Sequence, residues 1–235
     1  MKFVLLSGIE EEKGNLITTF SLECVKLYKY LFDKLSIPKE KIYFFSPEEF
    51  MRLKIGGILR DLKIMIKQDP YEPLVIYFNG HGRINEWCFY TKDGCAYLPF
   101  VLCHKKLIRA LRKQRGPLII IADCCFSMSL MESLKNLKCE KLLIGLSPKN
   151  RVGFDSVLDQ VLEKWNSGNI ANPLYNNGKR KIRFIKRTDY RKSKYCRLFG
   201  GDKKFHRYYY NYFVKKTRIV LRNGNFLDHY MYPKK

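Results

Sequence analysis

The chain has 235 residues with an apolar fraction of 46%, which is ordinary for a globular protein and excludes wholesale disorder. Its net charge of +23 is uneven, since residues 1–165 carry 26 Lys/Arg against 19 Asp/Glu, whereas residues 166–235 carry 19 against 3. We therefore expect a first domain over 1–165 and a separate basic region over 166–235.

The first residues predict a strand over Phe3–Leu6 that enters an acidic loop, Glu10-Glu11-Glu12. The three glutamates stand where a small-residue cleavage site would follow, so this segment is not a typical signal peptide. No window approaches the roughly 20 apolar residues of a membrane span. The eight cysteines include no CxxC pair, which favours reduced thiols. These features indicate a cytoplasmic or nuclear protein that does not contact membranes.

Three helices are predicted in the first half of the chain. Apolar residues at helical spacing indicate a helix over 16–35. Ser46-Pro47-Glu48-Glu49 is typical of a helix start, and the helix that follows would run to about Gln68, weakened by Gly56-Gly57. A further helix is expected over 105–113.

Apolar strands alternate with helices through the rest of the first domain. Leu74–Phe78 and Leu118–Ala122 are the most apolar runs, and they end in Asn79-Gly80-His81-Gly82 and Asp-Cys-Cys-Phe-Ser. The other predicted elements are a hairpin over Trp87–Leu98 around Lys92-Asp93-Gly94, a short helix over 128–137, a strand over 141–146 and a helix over 154–165. Strands without a polar face predict an α/β fold with a mainly parallel central sheet and helices on both faces.

Two of these strands end in side chains that can perform nucleophilic chemistry. If the strands are neighbours in the sheet, His81 and the pair Cys124-Cys125 lie at the same edge, where such sheets bind ligands. A histidine can activate a thiolate, and the backbone amides of Gly82 and of the cysteine can act as oxyanion donors. The alternative is a buried structural cysteine beside an unrelated loop histidine. A metal site formed by Cys88, Cys95, Cys103 and His104 is not expected, because the spacing fits no common zinc pattern.

Residues 1–165 resemble the caspase-like cysteine peptidases, most closely the metacaspase branch. The resemblance rests on YFNGHG over 77–82 and DCCFSM over 123–128, which match that family's His-Gly loop and the loop around its nucleophile. The stretch LLIGLSPKNRVGFDSVLDQVLE over 142–163 also looks like the strand, loop and helix that follow in the family. The resemblance as a whole implies a three-layer caspase-like sandwich with Cys125, rather than Cys124, as nucleophile.

The resemblance implies a cysteine endopeptidase with a His81–Cys125 dyad. Asp123 would line a primary pocket that accepts Arg or Lys, with Asn79 beside it and Glu10 and Glu11 nearby; alternatively, Asp123 only caps the helix that follows. No cofactor is expected, although calcium dependence occurs in the family.

Three residues depart from the family's pattern. Phe126 replaces a histidine, Met128 replaces a glycine that gives the loop freedom, and Asn79 replaces a serine. None of the three removes the dyad. Met128, however, could narrow or stiffen the turn after the nucleophile. A catalytically inactive relative is therefore an alternative.

The basic region begins with an Asn- and Gly-rich stretch and continues as basic residues interleaved with aromatics. Nine of the 16 tyrosines lie in it. Over 179–222 this pattern suits binding to nucleic acid or to an acidic protein. The alternative is that strands over 181–185 and 217–221 complete the fold and their basic residues face solvent. Residues 179–197 are a candidate self-cleavage site.

Overall fold

The structure is a computed structural model, and it describes residues 1–17, 19–92, 95–96, 100–146, 158 and 162. The predictions on the basic region 166–235 lie outside the described residues, as does most of the helix expected over 154–165. The strands are β1 (Lys2–Ser7), β2 (Ile9–Glu12), β3 (Asn15–Ile17), β4 (Ile42–Phe45), β5 (Leu74–Asn79), β6 (His81–Arg83), β7 (Glu86–Cys88), β8 (Tyr90–Lys92), β9 (Cys95–Ala96), β10 (Val101–Cys103), β11 (Leu118–Asp123) and β12 (Lys141–Gly145). The α-helices among the described residues are α1 (Thr19–Lys29), α2 (Pro47–Gln68), α3 (His104–Leu111) and α4 (Leu130–Leu134), and shorter helical turns lie at Tyr30–Lys34, Lys39–Lys41 and Ser127–Ser129.

Within the described residues, the core is a five-stranded sheet in the order β4-β1-β5-β11-β12. Every neighbouring pair in it is parallel, which confirms the predicted mainly parallel sheet. The strand order reverses between β1 and β5, because the chain first adds β4 on one side of β1 and then builds outward on the other. In sheets of this type, such a reversal leaves a crevice at the carboxyl ends of the strands.

Helices pack on both faces of this sheet, an arrangement consistent with a three-layer sandwich. Side chains alternate along each strand, so Val4 and Leu6 join one buried cluster while Phe3 and Leu5 join the other. The first cluster includes residues of α2, α3 and α4, and the second includes residues of α1. Burial on both faces explains why the strands are almost continuously apolar.

Helix α2 begins as its sequence predicts. The Ser46 hydroxyl accepts a hydrogen bond from the Glu49 amide, and the Glu49 carboxylate accepts one from the Ser46 amide, each over 3.3 Å. This capping box pairs two amide groups that the first turn of a helix cannot satisfy by itself. The helix is kinked at Lys54, whose φ of 53° is left-handed, just before the two glycines.

The structure corrects two predictions near the N-terminus. Glu10-Glu11-Glu12 is not a loop but belongs to β2, which pairs with β3 on one side and β8 on the other. Leu16 is not helical, because it lies in β3 opposite Glu11, and α1 begins only at Thr19. The apolar spacing was misleading there, since the Leu16 side chain is 64% exposed and is not part of the core.

Two small sheets extend from the carboxyl edge of the central sheet. One has the order β10-β7-β6 and the other has the order β3-β2-β8-β9. The antiparallel pairing of β8 with β9 confirms the hairpin predicted around Lys92, although Trp87 lies in β7 and so belongs to the other sheet. No helix in the described part of the chain has the length and apolarity needed to cross a membrane.

Candidate active site

The strands that carry the predicted residues end side by side. Asn79, the last residue of β5, lies opposite Ser7 of β1 and opposite Asp123 of β11. The Gly8 amide donates a hydrogen bond to the Asn79 carbonyl over 2.7 Å. A Cβ atom on Gly8 would lie 2.9 Å from the Gly80 Cα. The segment that follows β1 and the segment that follows β5 therefore touch through their backbones. The predicted adjacency of β5 and β11 is confirmed, and His81 follows at this edge.

The His81 loop is in direct contact with the turn that contains Cys125. A Cβ atom on Gly82 would lie 2.0 Å from the Cys125 carbonyl oxygen and 3.1 Å from the Cys124 Sγ. No side chain larger than that of glycine fits there without displacing backbone atoms. The histidine strand β6 and the turn after β11 are therefore held together by a glycine contact.

The two adjacent cysteines have different environments. Cys124 is only 2% exposed, and burial raises the pKa of its thiol well above the usual value, with a further contribution from Cys125. Cys88, which pairs with His81 across β6 and β7, is also buried, and its pKa is raised to about 11. Cys125 is partly exposed. Of these three thiols, Cys125 is therefore the one that solvent and a substrate can reach.

The imidazole ring of His81 lies between an aromatic ring and a carboxylate. The Phe20 ring, on α1, lies nearly perpendicular to it, with the ring centroids 5.0 Å apart. The Glu10 Oε1 atom lies 3.4 Å from its Nε2 atom, within ion-pair distance. Nε2 is inaccessible to solvent and has no partner of hydrogen-bond geometry among the described residues, although the side chain as a whole is 38% exposed.

Asp123 is held by groups on the neighbouring strand. Its Oδ2 atom accepts a hydrogen bond from the Tyr77 hydroxyl over 3.0 Å and one from the Asn79 Nδ2 over 3.4 Å. The carboxylate is nearly buried, at 3% exposure. The N-cap residues of the two helical turns that follow are Phe126 and Ser129, so Asp123 is not the helix cap of the alternative reading.

Glu11 has partners that keep it separate from His81. Its carboxylate accepts a hydrogen bond from the Tyr90 hydroxyl and lies 3.0 Å from the Lys92 ammonium group, both on β8. These two contacts hold the pKa of Glu11 below its usual value.

Phe126 and Met128, two of the residues that depart from the family's pattern, have distinct environments in the structure. Phe126 adopts a left-handed conformation with φ of 53°, which is uncommon for a large side chain and is the kind of strain found at functional sites. Met128 is buried in the cluster with α2, and it packs against Gly145 of β12, where a Cβ atom would come within 2.6 Å of its sulfur. The methionine that replaces the family's glycine is thus a core residue.

Sequence reasoning missed two residues of this site. Phe20 lies in the helix predicted over 16–35 and Tyr77 in the YFNGHG match over 77–82, but neither was assigned a role in the site. The sequence did contain one signal, because Tyr77 and Asn79 are two apart in a strand and must project to the same face. Within the described residues, no three His, Cys, Asp or Glu side chains are grouped so as to hold a metal ion.

Comparisons with known proteins leave the family open. No protein-family model matches the chain, and no curated protein matches it. Among solved structures, the chain is similar to the crystal structure of Raptor from Chaetomium thermophilum, with 12% identity and a TM-score of 0.38. That match covers 64% of this chain and only 16% of the Raptor chain. A similarity of this size supports no conclusion about fold or activity. None of these comparisons points to caspase-like peptidases, so the resemblance stays a prediction, while the class that the structure defines is an α/β protein with a mainly parallel central sheet.

Proposed function

We propose that this chain is a caspase-like cysteine endopeptidase that uses Cys125 as nucleophile and His81 as general acid and base. The observation that carries the proposal is the contact of Gly82 with the Cys125 carbonyl, because it holds the histidine loop against the backbone of the residue whose thiol, unlike those of Cys88 and Cys124, is accessible. A nucleophile and a base on adjacent loops at the carboxyl edge of a parallel sheet are the arrangement that thiol hydrolysis needs.

The proposed reaction has two steps. His81 takes the proton of the Cys125 thiol, and the thiolate attacks the carbonyl carbon of the scissile peptide bond. The C–N bond then breaks, the leaving amine takes the proton from His81, and an acyl-thioester remains on Cys125. Water attacks this thioester with His81 as base, which releases the carboxylic acid and restores the thiol.

Two backbone amides are proposed to stabilise the tetrahedral intermediates. Gly82 N–H and Cys125 N–H are the candidates, since both belong to the segments that meet at this contact. The lack of a side chain on Gly82 is consistent with this role, because a Cβ atom would push the Cys125 backbone away.

Cleavage after Arg or Lys is proposed from the negative side chain of Asp123 at this edge. A substrate aspartate beside it would face like charge in a partly desolvated site. Asn79 contacts the Asp123 carboxylate and would act with it in the pocket. Because the Asp123 carboxylate is nearly buried, we expect a substrate cation to reach it only from the end of a deep pocket. Peptides that differ only in the residue before the scissile bond test this preference, and faster cleavage after Asp would exclude it.

The dyad is tested by alkylation with a peptidyl ketone that carries Arg. The native wild-type protein should be labelled at Cys125 and the unfolded protein should not, because labelling needs the assembled site. Cys125→Ala should reduce peptidase activity by roughly 10⁴-fold or more. Cys124→Ala is the matched control and should keep most of the activity, since Cys124 is buried. Loss in Cys124→Ala alone would mean that Cys124 is the nucleophile, and no labelling of the native protein would exclude the enzyme.

A second candidate is a catalytically inactive caspase-like scaffold that binds nucleic acid or an acidic protein through residues 179–222. The observation that favours it is the charge of residues 166–235, with 19 Lys/Arg against 3 Asp/Glu. Binding of this kind falls steeply with salt and shows little sequence preference. If this candidate is right, a chain that ends at residue 178 should lose nucleic-acid binding, and neither the whole chain nor the shortened chain should be labelled at Cys125. An insoluble truncated chain would instead indicate that the basic region completes the fold.

A further inference from the structure

We propose that Glu10 is a positioning residue for His81, so that the site is a Cys–His–Glu triad in which the carboxylate orients the imidazole. This inference rests on the proposed peptidase function for its kinetic consequence. Its structural content, that Glu10 selects one orientation and one tautomer of His81, is independent of that function.

The first argument is the environment of the His81 Nε2 atom. This nitrogen is inaccessible to solvent and has no hydrogen-bond partner among the described residues. The Glu10 Oε1 atom, 3.4 Å away, is an acceptor that a small side-chain rotation would bring within hydrogen-bond distance. A buried N–H without a partner costs free energy, so the pair gains by closing this gap. Hydrogen bonds of catalytic groups are often long before a substrate binds.

The second argument concerns the other ring nitrogen. If Nε2 carries a proton that points at Glu10, then Nδ1 is unprotonated in the neutral ring and is the nitrogen that can take the Cys125 proton. The nearly perpendicular Phe20 ring restricts the imidazole from the side of α1. A carboxylate near Nε2 also stabilises the imidazolium that forms once the thiol proton has moved. The carboxylate has the same orienting role in Ser-His-Asp hydrolases, although there it contacts Nδ1 and Nε2 is the base.

The third argument is the difference between adjacent residues of β2. Successive side chains of a strand project to opposite sides. Glu11 contacts Tyr90 and Lys92 on β8, whereas Glu10 faces His81. The structure therefore separates the two glutamates, which the sequence had grouped as pocket residues. A Glu10 carboxylate that only bound substrate would not need to lie 3.4 Å from the His81 Nε2 atom.

The kinetic test compares Glu10→Ala with Glu12→Ala as control. Glu12 lies on the same strand, is exposed, and loses the same charge when replaced. Glu10→Ala should lower kcat by about 10²-fold for arginyl and lysyl peptides alike, with little change in KM, because a misoriented base slows the chemical step. Glu10→Gln, which keeps an acceptor oxygen, should recover part of kcat. A raised KM with unchanged kcat would overturn the inference and make Glu10 a pocket residue.

A second measurement separates failure of this inference from failure of the proposed function. In protein with ¹⁵N-labelled histidines at alkaline pH, NMR identifies which ring nitrogen of a neutral imidazole carries the proton. The His81 signals are assigned from the spectrum of His81→Ala. We expect the Nε2–H tautomer in the wild type and its loss in Glu10→Ala but not in Glu12→Ala. An Nδ1–H tautomer in the wild type, or no effect of Glu10→Ala, would overturn the inference even if the chain is an active peptidase. The expected tautomers in a chain without activity would uphold the contact and reject only the enzyme.

Discussion

Replacement of Gly82 by alanine tests the contact on which the candidate site depends. A Cβ atom there would lie 2.0 Å from the Cys125 carbonyl oxygen, whereas real Cβ atoms essentially never come within 3.0 Å of another residue's atoms. The Cys125 backbone or strand β6 must therefore move by about 1 Å. The obstacle is backbone, so no side-chain rotation can relieve it. A displacement of about 1 Å at reacting groups costs on the order of 10²-fold in rate, and overpacking typically costs about 1–3 kcal/mol of stability.

The assay for Gly82→Ala has two readouts. The rate of Cys125 alkylation by the peptidyl ketone should fall by about 10²-fold, and urea unfolding should give a free energy of unfolding lower by about 1–3 kcal/mol. Gly56→Ala is the matched control, since Gly56 is exposed on α2 and has no atom within 4 Å of its added Cβ. Wild-type labelling together with wild-type stability in Gly82→Ala would refute the contact between the two loops.

Two further predictions concern stability. His104 is buried with neither ring nitrogen hydrogen-bonded among the described residues, and burial lowers its pKa to about 4 from the usual 6.5. As pH falls from 6.5 to 4, His104 takes up a proton in the unfolded chain but stays largely neutral in the folded chain. The free energy of unfolding of the wild type should therefore fall by about 3 kcal/mol relative to that of His104→Leu. Parallel pH profiles of urea unfolding for the two proteins would contradict this. On α2, Gly56→Ala should raise the free energy of unfolding by about 0.5–1 kcal/mol, because alanine is the better helix former. Gly57→Ala should gain less or lose stability, because its Cβ would lie 2.9 Å from the Leu53 Cβ; equal thermal unfolding shifts would show that Leu53 moves freely.

Local physical rules were sufficient for the central sheet and for the start of α2. Apolar runs without a polar face are buried on both sides, so Leu74–Asn79 and Leu118–Asp123 could be interpreted as interior parallel strands. The capping box depends on residues only three positions apart, so Ser46 and Glu49 are visible in the sequence as a pair. The same rules also predicted that the His81 loop and the Cys125 turn share one edge, because strands adjacent in a parallel sheet end together.

Local rules failed where the conformation depends on a distant partner. Glu10-Glu11-Glu12 has the composition of a solvated loop, yet it forms a strand because β3 and β8 supply its backbone hydrogen bonds. Leu16 fits the helical spacing of the residues after it, but pairing with Glu11 holds it in β3. Neither strand partner could be predicted from composition, since pairing depends on how the chain returns to this edge.

The sequence by itself determined which residues could perform chemistry and that two of them meet at the carboxyl edge of a parallel sheet. Only the tertiary structure decided what surrounds them. Burial distinguishes Cys124 from Cys125, which only the family resemblance had separated in the sequence, because exposure depends on what packs above each residue. The side from which a strand side chain projects depends on its pairing register, and that register directs Glu10 toward His81 while Glu11 faces β8. Chemical identity is encoded residue by residue, whereas environment is created by segments that are far apart in the chain.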